Sequence, residues 1–191
     1  AMPKVLFISR LHPKKGVERF IRMVALLRTM GPLVRALIAG PGDEAYIASL
    51  RQLIEQLRLG EQVKLLGMVK GTAKVSLYQA VDVMVLPTSQ ENFGLVLVEA
   101  MACGTPVVTT RGVDIWQEIA EGGGVICEPD PAELAHAVAS MLADPAQREE
   151  RSRRARQWVL RHLDESAVAS RYEAMYRALA TGTGPGARAE S

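Results

Sequence analysis

Apolar residues fall along this chain in two alternating rhythms. Short, nearly continuous runs rich in β-branched residues occupy 4–9, 33–39, 63–66, 81–86, 106–110 and 124–127. Runs this short, without polar alternation, suit strands covered on both faces. Between the first two, Val17, Phe20, Ile21, Val24 and Leu27 recur at helical spacing; between the second and third, Ile47, Leu50, Ile54 and Leu57 do the same. Strand alternating with helix predicts βαβ units, hence an α/β domain with a doubly wound parallel sheet and helices on both faces. After 127 the rhythm becomes helical alone. Leu134, Val138, Met141 and Leu142 form one stripe, and Val168, Tyr172, Met175, Tyr176 and Leu179 form the last, which predicts extra C-terminal helices. One domain over 3–180 is expected. Residues 181–191 lack an apolar pattern and are expected to be disordered.

Composition narrows the picture. With 191 residues, 48% hydrophobic and 23% charged, the chain is globular. At this length roughly 70% of the unfolded surface can be buried, so neither disulfide nor structural metal is needed for a core. Cys103 in an apolar helical run and Cys127 in a strand run are expected as reduced, buried thiols. Twenty-three basic against 21 acidic residues leave a net charge of +2, too little to draw in nucleic acid or an anionic membrane by bulk charge. No nucleic-acid partner is expected, and any anionic ligand must be held locally. Arg148, Arg151, Arg153, Arg154, Arg156 and Arg161 form a basic helical run, but Glu149 and Glu150 interleave and no aromatic platform accompanies it, so it reads as a solvated face. No apolar stretch reaches the ~20 residues of a membrane span and no signal sequence opens the chain, which points to a cytoplasmic location. Whether a longer parent protein touches a membrane is not decided by the sequence. The start, Ala1-Met2-Pro3, joins directly to a strand and suggests a piece cut from a longer protein.

In an open parallel sheet, ligands bind at the carboxyl ends of the strands, so the loops after each strand carry the chemistry. The first runs Ser9-Arg10-Leu11-His12-Pro13-Lys14-Lys15-Gly16 into a helix. A helix start with two cations of different shape, the Arg10 fork and the Lys15 point charge, suits a diphosphate. His12 reads as a loop residue rather than a catalyst. The second loop, Gly40-Pro41-Gly42-Asp43, matches a dinucleotide fingerprint formally. Asp43 would set a carboxylate against a pyrophosphate, and no ribose-holding acid ends the next strand, so it reads as a tight turn with Asp43 capping a helix. Gly67-Met68-Val69 could let backbone approach a base.

The third segment carries most. Leu86-Pro87-Thr88-Ser89-Gln90-Glu91-Asn92-Phe93-Gly94-Leu95 leads into Val96-Leu97-Val98-Glu99-Ala100-Met101-Ala102-Cys103-Gly104-Thr105-Pro106-Val107-Val108. Gly94 permits close backbone approach where a helix begins, and that start offers free amides to an anion. Glu91 and Glu99 stand eight positions apart, roughly two turns if the segment is helical, so both carboxylates can lie along one side of a ligand. A buried Glu99 would need a partner. Glu91 could equally be a helix-start acid held by the dipole.

Together these segments resemble the C-terminal, donor-binding domain of the retaining GT-B glycosyltransferases, in particular glycosyltransferase family 4, often called group 1. The likeness spans roughly residues 5–176 and is most specific in Glu91 to Val108, where two glutamates flank seven residues, Phe93-Gly94 follows the first, and Glu-Ala-Met-Ala-Cys-Gly-Thr-Pro-Val-Val completes the block. The resemblance implies a Rossmann-like domain whose substrate is a nucleoside-diphosphate sugar, with no cofactor. It implies that Arg10 and Lys15 bind the diphosphate, Glu91 approaches the transferred sugar, and Glu99 binds ribose hydroxyls. It places the backbone of Asn92, Phe93, Gly94 and Leu95 at sugar hydroxyls and phosphate oxygens. Gly40 would lie at the donor site, and Met68 and Val69 near the base. Arg10, Lys15 and Glu91 are the candidates for the reaction itself. No Asp-x-Asp pair is present, so no metal is expected.

Complete enzymes of this type resemble two such domains with the reaction between them. An N-terminal acceptor domain is therefore the expected partner, and this chain alone is expected to bind donor but transfer little or no sugar. The apolar stripe with Tyr172 and Tyr176 is expected to be surface that the absent half would cover. Competing readings are a nucleotide-sugar epimerase or phosphorylase of the same fold, a non-catalytic nucleotide-binding module, and a dehydrogenase. The Phe-Gly after Glu91 and the glutamate spacing disfavour the first, the joint presence of Arg10, Lys15, Glu91 and Glu99 the second, and the missing ribose acid the third. The base, the sugar and the acceptor are left open.

Overall fold

A computed structural model describes residues 2–181. Beyond Thr181, the segment expected to be disordered lies outside the described residues. Six strands, β1 (Lys4–Ile8), β2 (Arg35–Ala39), β3 (Val63–Gly67), β4 (Val83–Leu86), β5 (Val107–Thr110) and β6 (Val125–Cys127), form a single sheet in the order β3-β2-β1-β4-β5-β6. Every pairing is parallel. All six lie where the apolar runs place them.

Each helix has a local cause. α1 (Val17–Met30) starts after Gly16 and buries the stripe seen in the sequence, with the Phe20 ring 5.8 Å from that of Phe7 on β1. α2 (Glu44–Gln56) is capped by Asp43, whose carboxylate accepts from the Ala45 and Tyr46 amides at 3.0 and 3.2 Å. α3 (Gly71–Gln79), α4 (Leu95–Ala102) and α5 (Trp116–Glu121) follow β3, β4 and β5. α6 (Pro131–Ala143) and α7 (Pro145–His162) each begin with an Asp cap and a proline in the first turn, and α8 (Glu165–Ala180) is capped by Asp164. β1, β4 and β5 are buried along nearly their whole length, which requires cover on both faces of the sheet.

Three expectations change. The run from Glu91 to Glu99 is not helical throughout: the helix begins only at Leu95, and Glu91 sits in a loop, bridged to Val113. Cys103 and Cys127 are free but half-buried. Burial pushes the Cys127 thiol up to about 11, with Glu133 and Glu128 adding to it. The basic run is α7, and three of its arginines also clip the fold together, two of them while remaining exposed. Arg154 donates to the Glu121 carbonyl at 2.9 Å, Arg156 to that of Ala102 at 2.8 Å and Arg151 to that of Gly123 at 3.0 Å. They satisfy carbonyls left open where α5 and α4 end. Arg153, Arg154, Arg156 and Arg161 are all exposed, as a solvated face requires.

The α8 stripe is exposed at Tyr172, Met175, Tyr176 and Leu179, as expected of surface without cover in this chain. Among the described residues no helix is long and apolar enough to cross a membrane.

Candidate functional site

β1 and β4 are adjacent, and chain order reverses between them, which makes the space beyond their carboxyl ends the switch point of the sheet. Two loops meet there and are stitched together by hydrogen bonds. The Ser89 amide donates to the Lys14 carbonyl at 2.8 Å, and the buried Thr88 hydroxyl lies 3.0 Å from the same oxygen. From α1, Arg19 donates to the Pro87 carbonyl at 3.0 Å and to the Ser89 hydroxyl at 2.8 Å. The β1–α1 loop is therefore tied to the β4–α4 loop.

On this frame stands an ion pair. Lys15 Nζ lies 2.5 Å from Glu91 Oε2 and donates to the Gln90 carbonyl at 3.1 Å, with the two side chains only 13% and 23% exposed. Glu91 is fixed at its backbone as well, donating to the Gly112 carbonyl at 2.7 Å and accepting from the Asp114 amide at 2.9 Å. Partial burial strengthens such a pair relative to one in open solvent. Arg10 is exposed, and its guanidinium has no hydrogen-bond or ion-pair partner among the described residues. Lys14 reaches the Gln90 amide oxygen at 3.0 Å. His12 is spent locally: its Nδ1 accepts from the Lys14 amide at 3.2 Å and caps the 3-10 turn Pro13–Lys15.

Lining the same cleft, α4 starts after Gly94, whose φ of 70° is left-handed and favours glycine. No side chain caps it, so its first amides stay open to an anion. The resulting cleft has a volume of about 640 Å³ and is lined by Arg10, Lys15 and Glu91 together with Phe93, Gly94 and Leu95. Cations, an unsatisfied helix start and a carboxylate thus surround one space, an arrangement able to hold a diphosphate beside a hydroxylated group.

Of the residues singled out from the sequence, Arg10, Lys15, Glu91, Asn92, Phe93, Gly94 and Leu95 line this cleft; Gly40, Met68, Val69 and Glu99 do not. Gly40 has a steric reason to be glycine: at φ 139° a Cβ would lie 1.7 Å from the Ser9 carbonyl oxygen. Met68 is exposed just past β3 and Val69 is half-buried. Glu99 stands one turn along α4 from Leu95, on the same helix face. Its Oε2 accepts from the Tyr78 hydroxyl at 2.8 Å and lies 2.5 Å from Lys74 Nζ. Burial, reinforced by the Glu99 carboxylate, raises the Tyr78 phenol above its ordinary value of 10.0, so it stays a proton donor.

Lys74 and Tyr78 escaped the sequence reading. They lie on α3, which has no apolar stripe to announce it; the available signal was their spacing of four, which puts a cation and a phenol on one helix face. Gln90 was equally silent, because it acts largely through its backbone carbonyl.

The family model for glycosyl transferases group 1 matches residues 2–158, and the chain belongs to this family. It is 35% identical over 150 residues to D-inositol 3-phosphate glycosyltransferase 2 of Catenulispora acidiphila, covering 74% of this chain and 35% of that protein. Sucrose-phosphate synthase from Thermosynechococcus elongatus superposes with a TM-score of 0.83 at 30% identity, over 95% of this chain and 46% of that one. Anabaena Alr3699/HepE, solved in complex with UDP and glucose, superposes with a TM-score of 0.78 at 27% identity, over 93% and 48%. The fold is the Rossmann-like C-terminal domain of GT-B glycosyltransferases. The chain spans less than half the length of these three proteins.

Proposed function

We propose that this chain is the donor-binding part of a retaining, metal-independent glycosyltransferase that takes its sugar from a nucleoside diphosphate. The observation that carries the reading is the cleft at the switch point, where Lys15, the unpartnered Arg10 and the uncapped start of α4 converge on one space beside Glu91. A relative solved with UDP and glucose supports the same ligand class.

In the proposed reaction the bond between the anomeric carbon and the diphosphate oxygen breaks, leaving positive charge on the sugar and negative charge on the leaving group. Arg10, Lys15 and the α4 amides are in place before that charge develops, so they stabilise it without reorganising. Their cationic charge does what a divalent ion would otherwise do, which is the basis for proposing metal independence. Glu91 positions the sugar rather than attacking it. Lys15 is shared: it neutralises Glu91 when the cleft is empty and turns to the diphosphate when donor binds.

The acceptor-binding part is proposed to lie in a separate domain. The relatives' names give different acceptors, so none is carried over. Two measurements test the reading. Thermal-shift titration with UDP, GDP, ADP and their sugars should raise the melting temperature for one base, since ligand at 100 times its Kd stabilises by about 2.7 kcal/mol. Incubation of this chain with that labelled donor and an acceptor panel should give little or no product; robust transfer to any acceptor would contradict the divided site.

A further inference from the structure

Thr88, just past the end of β4, is wholly buried, yet its hydroxyl has two acceptors in reach rather than one. Its Oγ1 lies 3.0 Å from the Lys14 carbonyl oxygen and 3.0 Å from that of Gln90, and it accepts from the Gln90 amide at 3.2 Å. A hydroxyl has one proton, so it serves only one of these carbonyls at a time. Each carbonyl also has a second donor: the Ser89 amide reaches that of Lys14 at 2.8 Å, and Lys15 Nζ reaches that of Gln90 at 3.1 Å. The two second donors differ in kind. The Ser89 amide belongs to the backbone and stays, whereas the Lys15 ammonium ends a side chain that, on the reading above, leaves for the diphosphate. The frame around the hydroxyl is fixed. The Thr110 hydroxyl donates to the Thr88 carbonyl and accepts from the Gly112 amide at 3.3 Å, while Arg19 holds Pro87 and Ser89 on either side.

We propose that Thr88 is a positioning residue whose hydroxyl proton turns from the Lys14 carbonyl to the Gln90 carbonyl as Lys15 leaves Gln90 for the ligand. The inference rests on the donor-binding reading above and deepens it. Without such a replacement the Gln90 carbonyl would lose its Lys15 hydrogen bond on binding, and that loss would oppose the departure of Lys15. Turning the proton restores a donor there, while the Ser89 amide keeps the Lys14 carbonyl paired. No covalent bond changes and no backbone shifts, because the Gln90 amide holds the oxygen in place while its proton rotates. In the empty cleft the hydroxyl duplicates donors already present; its contribution is made when Lys15 has gone.

The test is a double-mutant cycle read by calorimetry on this chain, with UDP, or with GDP or ADP if one of those binds more tightly. Thr88→Val, which keeps the shape and removes the hydroxyl, should weaken binding by about fivefold to tenfold, the worth of one hydrogen bond. Thr88→Ser, which returns the hydroxyl, should restore affinity to within about threefold of the starting chain. In a Lys15→Ala background there is no ammonium to leave Gln90, so Thr88→Val should change the remaining affinity by less than about twofold. A packing role for Thr88 would lower the melting temperature and weaken binding by the same factor in both backgrounds. Equal factors, an unchanged affinity in Thr88→Val, or a Thr88→Ser variant as weak as Thr88→Val each overturn the proposal and leave the donor reading standing. If Thr88→Val does not fold, Thr88→Cys, whose thiol is a weak donor, decides through the same comparison of backgrounds. Binding of no nucleotide by the unsubstituted chain overturns both readings.

Discussion

Glu91 and Glu99 carry the same side chain in one segment, yet their partners come from different kinds of element. Glu91 sits in a loop, and its cation, Lys15, comes from the neighbouring β1–α1 loop. Glu99 sits within α4, and its partners come from α3, one of them a buried phenol. The first pair faces the space where a ligand would enter, so its cation is available for exchange. The second is backed by core through the buried Tyr78. On the proposed reading, the difference separates a group that changes partner during binding from one that is held in place by the core.

Breaking the fixed pair should cost stability, and breaking the exchangeable pair should change binding. The largest stability loss is expected from Tyr78→Ala, at about 3–5 kcal/mol, because it empties a fully packed position and strips Glu99 of its anchor. Chemical denaturation checks this; a loss below 1 kcal/mol would mean the phenol is not the support described. Next, Lys15→Ala should weaken nucleoside diphosphate binding by about 100-fold, or ~2.7 kcal/mol, since it removes a charge-assisted bond at a partly buried site. Glu99→Ala should cost about 1–3 kcal/mol of stability by leaving the buried Tyr78 hydroxyl unpaired. Glu91→Ala should cost less than about 1 kcal/mol, because Lys15 can turn to solvent and to the Gln90 carbonyl. If the two alanine variants are equally stable in melts, the contrast between the carboxylates fails.

Much of this was legible in the sequence. All six strands announced themselves as β-branched runs because buried parallel strands need apolar residues on both faces, and the Asp43 cap could be read from one residue type before a helix. The cleft residues from Glu91 to Leu95 were readable because a glycine before a helix implies an open helix start. α3 was not readable, because it packs without a regular apolar stripe, and so Lys74 and Tyr78 stayed hidden. The role of the α7 arginines also escaped: a sequence shows charge at helical spacing but not which carbonyls lie within reach. The pairing of Lys15 with Glu91 is likewise a property of the folded loops, since the two residues lie 76 positions apart.

The most direct test of the central claim, that Lys15 is shared between Glu91 and the ligand, is calorimetric titration of wild type, Lys15→Ala and Glu91→Gln with the same nucleoside diphosphate. Removing the competing carboxylate charge should free Lys15, so Glu91→Gln is predicted to bind about threefold to tenfold more tightly than wild type, about 1 kcal/mol, while Lys15→Ala binds far more weakly. Opposite signs for the two variants would support the exchange. If Glu91→Gln weakens binding as Lys15→Ala does, the pair acts as one fixed unit and the account of the cleft is wrong.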